Sequence, residues 1–284
     1  MKTIIKRDEL VKLTAGFKKM GRTIALVPTM GALHAGHISL VRQAKKECDI
    51  CVVSIFVNPN QFNNKEDLDK YPRDVERDAA LLQKEGVDIV FAPTVDEVYP
   101  EPDTRQFDFG QLDKVMEGRF RPGHFNGVAQ VVSRLFDMVK PDKAYFGEKD
   151  FQQLAIVRAM VRQLALDVQI VPMPIVREAS GLAMSSRNER LSAEEKKIAA
   201  NIYKALQKSK NEWYNRVPVG ETKINVVNLI EASEQLQVEY FQIVDGDSLQ
   251  EVSGWADSQH IVGCITVFCG KVRLIDNIIY KNLD

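Results

Sequence analysis

The sequence predicts an α/β fold: a doubly wound parallel sheet followed by a smaller α+β C-terminal domain. Three observations carry that expectation. Over roughly the first 175 residues, short apolar and β-branched runs alternate with stretches of helical period, the pattern of strand–helix–strand units. The runs stop at glycine, proline or asparagine, residues that turn a strand into a loop. Beyond them helices come first and strands last, as in an α+β domain.

Residues 7–20 read as a leading helix and 23–27, Thr23-Ile24-Ala25-Leu26-Val27, as the first core strand. The turn Pro28 to His37 then opens a helix through Ile38, Leu40, Val41 and Ala44. A second strand, 50–57, stops at Asn58-Pro59-Asn60-Gln61-Phe62, and a charged helix over 74–85 places Val75, Ala79 and Leu82 inward. The third strand, 87–92, ends at Pro93. Residues 94–127 lose the pattern and read as loops with a short helix over 112–116, a segment suited to an active-site flap. Within them Arg119-Phe120-Arg121-Pro122-Gly123-His124 is the one concentrated basic stretch, either a solvated turn or a phosphate contact.

A helix over 128–139 turns Val128, Val131, Val132, Leu135, Phe136 and Val139 inward. Strand 143–146 opens into Gly147-Glu148-Lys149-Asp150, followed by helix 151–166 and strand 168–176. Residues 1–176 thus form the expected first domain and 177–284 the second. The second holds the segment Ala183 to Asn188 and a long helix over 193–213, whose Ser192 and Glu195 spell a capping box. A helix over 222–236 and strands 237–244, 261–268 and 272–278 complete it.

Composition excludes some function classes. The net charge of −1 gives no global basic field to recommend nucleic acid or an anionic membrane. No apolar run approaches a membrane span, and the amino terminus has no signal-like core, so a cytoplasmic location is expected. Cys48 and Cys51 form a C-x2-C pair, but Cys51, Cys264 and Cys269 sit inside apolar strand runs; reduced core thiols are expected, not a zinc site.

Loops at the carboxyl ends of parallel strands are where open α/β sheets bind ligands. Here these are the histidine turn, the Asn58 to Gln61 loop and Gly147 to Gln153, with Ser185-Ser186-Arg187 beyond the last strand. Together they supply imidazoles, amides, a lysine, an arginine and hydroxyls, a set suited to a polyphosphate and lacking a covalent nucleophile with an adjacent base. His34 and His37, three residues apart, face one spot if a helix begins near Ala35. Neither a Walker lysine loop nor a dinucleotide glycine fingerprint occurs.

The motif His34-Ala35-Gly36-His37 resembles the H-x-G-H signature of the nucleotidyltransferase superfamily, and Met184-Ser185-Ser186-Arg187-Asn188 its second, serine-containing motif. Further matches run through most of the chain: Phe56-Val57-Asn58-Pro59 with Gln61-Phe62, Tyr71-Pro72-Arg73, Arg121 to Phe125, Tyr145 to Leu154 and Val176-Arg177-Glu178. In that order they resemble the pantoate–β-alanine ligase family. The resemblance implies a Rossmann-like nucleotide- and pantoate-binding domain with a C-terminal lid. It further implies a homodimer that uses ATP and Mg2+ to join pantoate and β-alanine through a pantoyl adenylate.

It also implies roles for individual residues. His37, His34, Lys149 and Arg187 are the expected catalytic contacts to the phosphates. Met30, Gly31, Ala32, Leu33, Ala35, Gly36, Gly147, Glu148, Asp150, Val176, Met184, Ser185 and Ser186 complete the expected ATP site. Gln61 and Gln153, with Asn58, are the expected pantoate ligands. Asp78 is on offer to magnesium, but the metal's ligands stay open, since phosphates and water can supply most of them. Ser180 stands where the family commonly has aspartate. An adenylyltransferase acting on a phosphorylated acceptor and a nucleotide-binding module without turnover are the alternatives.

Overall fold

The computed structural model describes residues 1–283, which divide into two compact units. The first comprises Met1–Phe109, Phe120–Glu148 and Gln153–Pro174; the second takes Gly110–Arg119, Lys149–Gln152 and the chain from Ile175 onward.

In the first unit β1 (Lys2–Ile4), α1 (Arg7–Lys19), β2 (Ile24–Thr29), α2 (Ala35–Glu47) and β3 (Ile50–Ile55) lead to a single 3-10 turn, Pro59–Gln61. Then come α3 (Lys65–Asp69), α4 (Val75–Lys84), β4 (Ile89–Phe91) and α5 (Val95–Val98). The helix α6 (Met116–Phe120) falls mainly in the second unit, after which α7 (His124–Val139), β5 (Lys143–Gly147), α8 (Phe151–Gln163) and β6 (Gln169–Met173) finish the alternation. The six strands form one parallel sheet in the order β1-β4-β3-β2-β5-β6. Strand β2 lies between β3 and β5, so the order reverses there and leaves a crevice beyond the carboxyl ends. Ala25, Val27, Val41, Val53, Leu82 and Tyr145 fill the core on one side of that centre.

Four local expectations need correction. Strand β1, paired with β4, is too short to leave a period in the sequence. Helix α4 turns Asp78 inward, 1% exposed, and leaves Val75 41% exposed, because Asp74 caps the helix and Val75 is its first residue. Helix α7 starts at His124, four residues before position 128: Gly123 enters it at φ +80, and Gly127, which reads as a loop glycine, sits inside. The short helix falls at α6 instead of 112–116.

The second unit packs α9 (Ala193–Lys208) and α10 (Val219–Glu231) on an antiparallel sheet of β7 (Leu236–Asp245), β8 (His260–Cys269) and β9 (Val272–Asn282). A π turn, Ser209–Trp213, extends α9 to the predicted end, and the Ser192–Glu195 capping box is formed. Ile202, Leu206, Val226, Ile230, Ile243 and Ile265 share its core. All four cysteines are buried free thiols, and burial pushes the Cys51 and Cys264 thiols up to about 12. Among the described residues no helix is long and apolar enough to cross a membrane.

Candidate active site

Strand β2 ends on Thr29, whose Oγ1 donates to the Ser54 carbonyl at 2.7 Å and accepts the Gly31 amide at 3.2 Å. The chain then turns through two left-handed residues, Gly31 at φ +84 and Ala32 at φ +50. A Cβ on Gly31 would meet Asp78 Oδ2 at 3.1 Å and Ile55 Cγ2 at 3.2 Å, so position 31 demands glycine twice over. Asp78 Oδ1 accepts the Leu33 amide at 2.9 Å. Burial pushes the Asp78 carboxyl up, partly offset by the Leu33 and Ala32 amides. A residue on offer to magnesium is therefore a brace for the turn.

The turn delivers His34 to the N-cap of α2. Its Nδ1 accepts the Gly36 amide at 3.1 Å, while His37 Nδ1 accepts the His34 amide at 3.3 Å; the ring centroids are 4.1 Å apart. Each Nδ1 is thus an acceptor, so the neutral rings carry their proton on Nε2 and offer it as a donor. Capping thus takes up the Nδ1 side of each imidazole. Helix α2 has no acidic residue in its first turn and lysines in its last, which leaves its amino end positive. Ala35 is exposed, Met30 and Gly36 half-buried, and Leu33 buried beneath.

The second loop is moulded just as closely. Asn58 Nδ2 donates to Gln61 Oε1 at 3.2 Å and to the Gly127 carbonyl at 3.0 Å; its Oδ1 accepts from Tyr99 Oη at 2.9 Å and the Asn60 amide at 3.3 Å. Gln61 Nε2 reaches Met30 Sδ at 3.1 Å, which ties this loop to the histidine turn. Asn58, 1% exposed, has both ends of its amide engaged, and its Nδ2 end holds Gln61. A Cβ on Gly127 would lie 2.4 Å from the Asn60 carbonyl oxygen, so the α7 glycine permits this close approach. Gly147 ends β5, the other strand beside β2, and Glu148 follows it half-buried. Gln153 is half-buried in the first turn of α8.

The second unit assembles its candidate residues by longer reach. Lys149 is half-buried between Glu148 and an exposed Asp150, and its carbonyl accepts Asn277 Nδ2 at 3.1 Å. Arg177 grips Asp276 with two bonds, 2.7 and 2.9 Å, and stacks over Tyr203 at 3.5 Å. That pair anchors a small hairpin: Arg177 bridges Ala183, and the Met184 amide bonds the Val176 carbonyl at 3.0 Å. At its tip Ser180 Oγ accepts the Leu182 amide at 3.4 Å, so serine still caps the turn. Ser185 Oγ accepts the Arg187 amide at 3.2 Å to start the 3-10 turn Ser186–Arg190, with Ser186 buried and Arg187 half-buried. Asn188 Nδ2 ties that turn to Glu178 Oε1 and the Ala183 carbonyl, both at 3.0 Å. Lys149, Ser185, Asn188 and Asp276 line one small depression. Burial pushes the Asp276 carboxyl up against the opposing pull of Arg177. Gln152, next to Gln153, is structural: it bonds the Leu112 and Val115 carbonyls and the Glu117 amide.

Sequence reasoning missed Asp276, Asn277 and the bracing role of Asp78. Only Asp78 left a signal, its i, i+4 spacing to Leu82.

The pantoate-beta-alanine ligase family model matches residues 2–279. The chain belongs to the pantoate–β-alanine ligase family. It is 59% identical over 273 residues to a pantothenate synthetase of Porphyromonas gingivalis, covering 96% of this chain and 97% of that one. It is 58% identical to that of Bacteroides thetaiotaomicron, with 98% of each covered. The crystal structure of pantothenate synthetase from Thermus thermophilus matches at a TM-score of 0.92 with 43% identity, over 99% of this chain and 100% of that one. A Francisella tularensis pantoate-beta-alanine ligase, complexed with beta-gamma ATP and beta-alanine, matches at 0.83 with 33% identity, over 99% and 98%. Pantoate–β-alanine ligases are enzymes, and the chain is a ligase of this kind with their fold.

Proposed function

We propose that the enzyme condenses (R)-pantoate with β-alanine through a pantoyl adenylate, releasing pyrophosphate and then AMP. The observation that carries this is the reciprocal capping of His34 and His37. It presents two Nε2 donors at the positive end of α2, beside a Gln61 held through Met30. The Francisella relative's complex with beta-gamma ATP and beta-alanine supports the choice of ATP and β-alanine as substrates.

In the first half-reaction a pantoate carboxylate oxygen attacks the α-phosphorus and the bond to the β-phosphate's bridging oxygen breaks. No protein nucleophile is required, only donors to the charge that grows on phosphorus and leaving group. His34 and His37 supply neutral donors, and Lys149 and Arg187 positive ones, with Met30, Gly31, Ala32, Leu33, Ala35, Gly36, Gly147, Glu148, Asp150, Val176, Met184, Ser185 and Ser186 contacting the nucleotide. Gln61 and Gln153 hold pantoate through neutral amides, which bind the anion without quenching it as a nucleophile. Asn58 aligns Gln61.

In the second half-reaction the β-alanine nitrogen attacks the acyl carbon, the bond to the AMP oxygen breaks, and the ammonium proton leaves. No group of three His, Cys, Asp or Glu side chains among the described residues could hold a metal. Magnesium would be held by the nucleotide phosphates and water, where it would supply positive charge to the pyrophosphate. A homodimer and a cytoplasmic location belong to the same proposal; four reduced thiols suit a reducing compartment.

The test mixes enzyme, magnesium ATP and pantoate. Pyrophosphate release that requires pantoate, with free AMP appearing only on addition of β-alanine, is the expected result. ATP turnover indifferent to pantoate overturns the assignment.

A further inference from the structure

We propose that His124 is a positioning residue that sets the pantoate-binding carboxamide of Gln61. It does so through a single neutral tautomer locked by Arg121. The inference rests on the pantoate role given to Gln61 above.

His124 is buried, 6% exposed, at the start of α7. Its Nδ1 lies 2.8 Å from the Gln61 carbonyl oxygen, and its Nε2 lies 3.2 Å from Arg121 Nη1. A carbonyl can only accept and a guanidinium can only donate, so both roles are fixed. Nδ1 carries the proton and donates to Gln61, while Nε2 accepts from Arg121. This is the opposite tautomer to the one that capping imposes on His34 and His37. Arg121 Nη2 also reaches the Gln61 carbonyl at 3.4 Å. The basic stretch that could have been a solvated turn or a phosphate contact thus acts on the Gln61 backbone.

Gln61 needs that support. It closes a three-residue 3-10 turn whose own bond, Gln61 amide to Asn58 carbonyl, is 3.4 Å long. Asn58 and Met30 hold the side-chain amide, but a side chain is only as well placed as the backbone that bears it. His124 fixes that backbone. In the same first turn of α7, the Gly127 carbonyl accepts from Asn58, so one helix end braces both loop residues.

Three variants separate donor geometry from volume. In His124→Asn the side-chain amide nitrogen falls where Nδ1 was; in His124→Gln it falls nearer the Nε2 position; His124→Phe fills the space with no donor. The readout is pantoate-dependent pyrophosphate release, with KM for pantoate and for ATP measured separately. His124→Phe and His124→Gln are expected to raise the pantoate KM by about 10- to 100-fold, the scale of a small misplacement at a binding group, with the ATP KM within about twofold. His124→Asn is expected to recover most of that loss. If Asn performs no better than Gln, or if pantoate and ATP KM rise together, the donor role is overturned. The Asn and Gln pair decides even if His124→Phe does not fold. A wild-type enzyme indifferent to pantoate would instead overturn the substrate assignment.

Discussion

The two units hold their candidate phosphate ligands by different means. In the first, the histidine turn is set by neighbours in sequence: left-handed Gly31 and Ala32, and two rings that cap each other's backbone three residues apart. In the second, the serine segment and Lys149 are set by β9, where Asp276 grips Arg177 and Asn277 holds the Lys149 carbonyl. Each also uses a buried aspartate, but Asp78 faces backbone amides and Asp276 faces a guanidinium. A charge braced by neutral dipoles can be neutralised cheaply; a charge paired with another buried charge cannot.

The largest expected effect follows from that contrast. Asp276→Asn leaves the Arg177 guanidinium facing an uncharged partner and should destabilise the protein by about 3–5 kcal/mol. Urea denaturation measures it, and a midpoint close to wild type would show that Arg177 finds another anion. Next comes His37→Ala, which removes a donor and a cap together. Turnover should fall about 10²–10³-fold, while the lost cap lowers stability by only about 1 kcal/mol. Equal losses in turnover and fold would make His37 a structural residue.

Asp78→Asn should be the mildest. Asparagine keeps an acceptor for the Leu33 amide and removes a buried charge, so stability at neutral pH should change by less than about 1 kcal/mol. Its signature is in the pH dependence. Because burial raises the folded-state pKa of Asp78, the folded protein binds that proton more tightly than the unfolded chain. The stabilising contribution is complete below the ordinary carboxylate pKa and is lost as pH rises through the raised value. Denaturation midpoints from about pH 3.5 upward should therefore show wild type losing stability relative to Asp78→Asn. Parallel profiles would contradict the burial of a charge at this position.

The same contrast explains what could be read without coordinates. The histidine turn, its strand and its helix lie within one short stretch, so apolar runs, glycine and histidine spacing were sufficient. The Ser192–Glu195 box and the inward face of α7 were legible for the same reason. Asp276 is 99 residues from Arg177, and Asn277 is 128 from Lys149. Nothing local marks such pairs. Val75 misled because a helix-end residue follows the cap more than the apolar stripe, and Gly127 because close packing against Asn60 looks, in sequence, like a loop. The motif resemblance pointed to the family where composition could only suggest a polyphosphate.

The central claim is that pantoate's own carboxylate attacks the α-phosphorus. Pantoate labelled with 18O in its carboxylate tests it directly. Complete turnover with ATP and β-alanine should deliver one labelled oxygen per AMP and none to pyrophosphate. AMP free of label, or label recovered in pyrophosphate, would contradict the adenylate route.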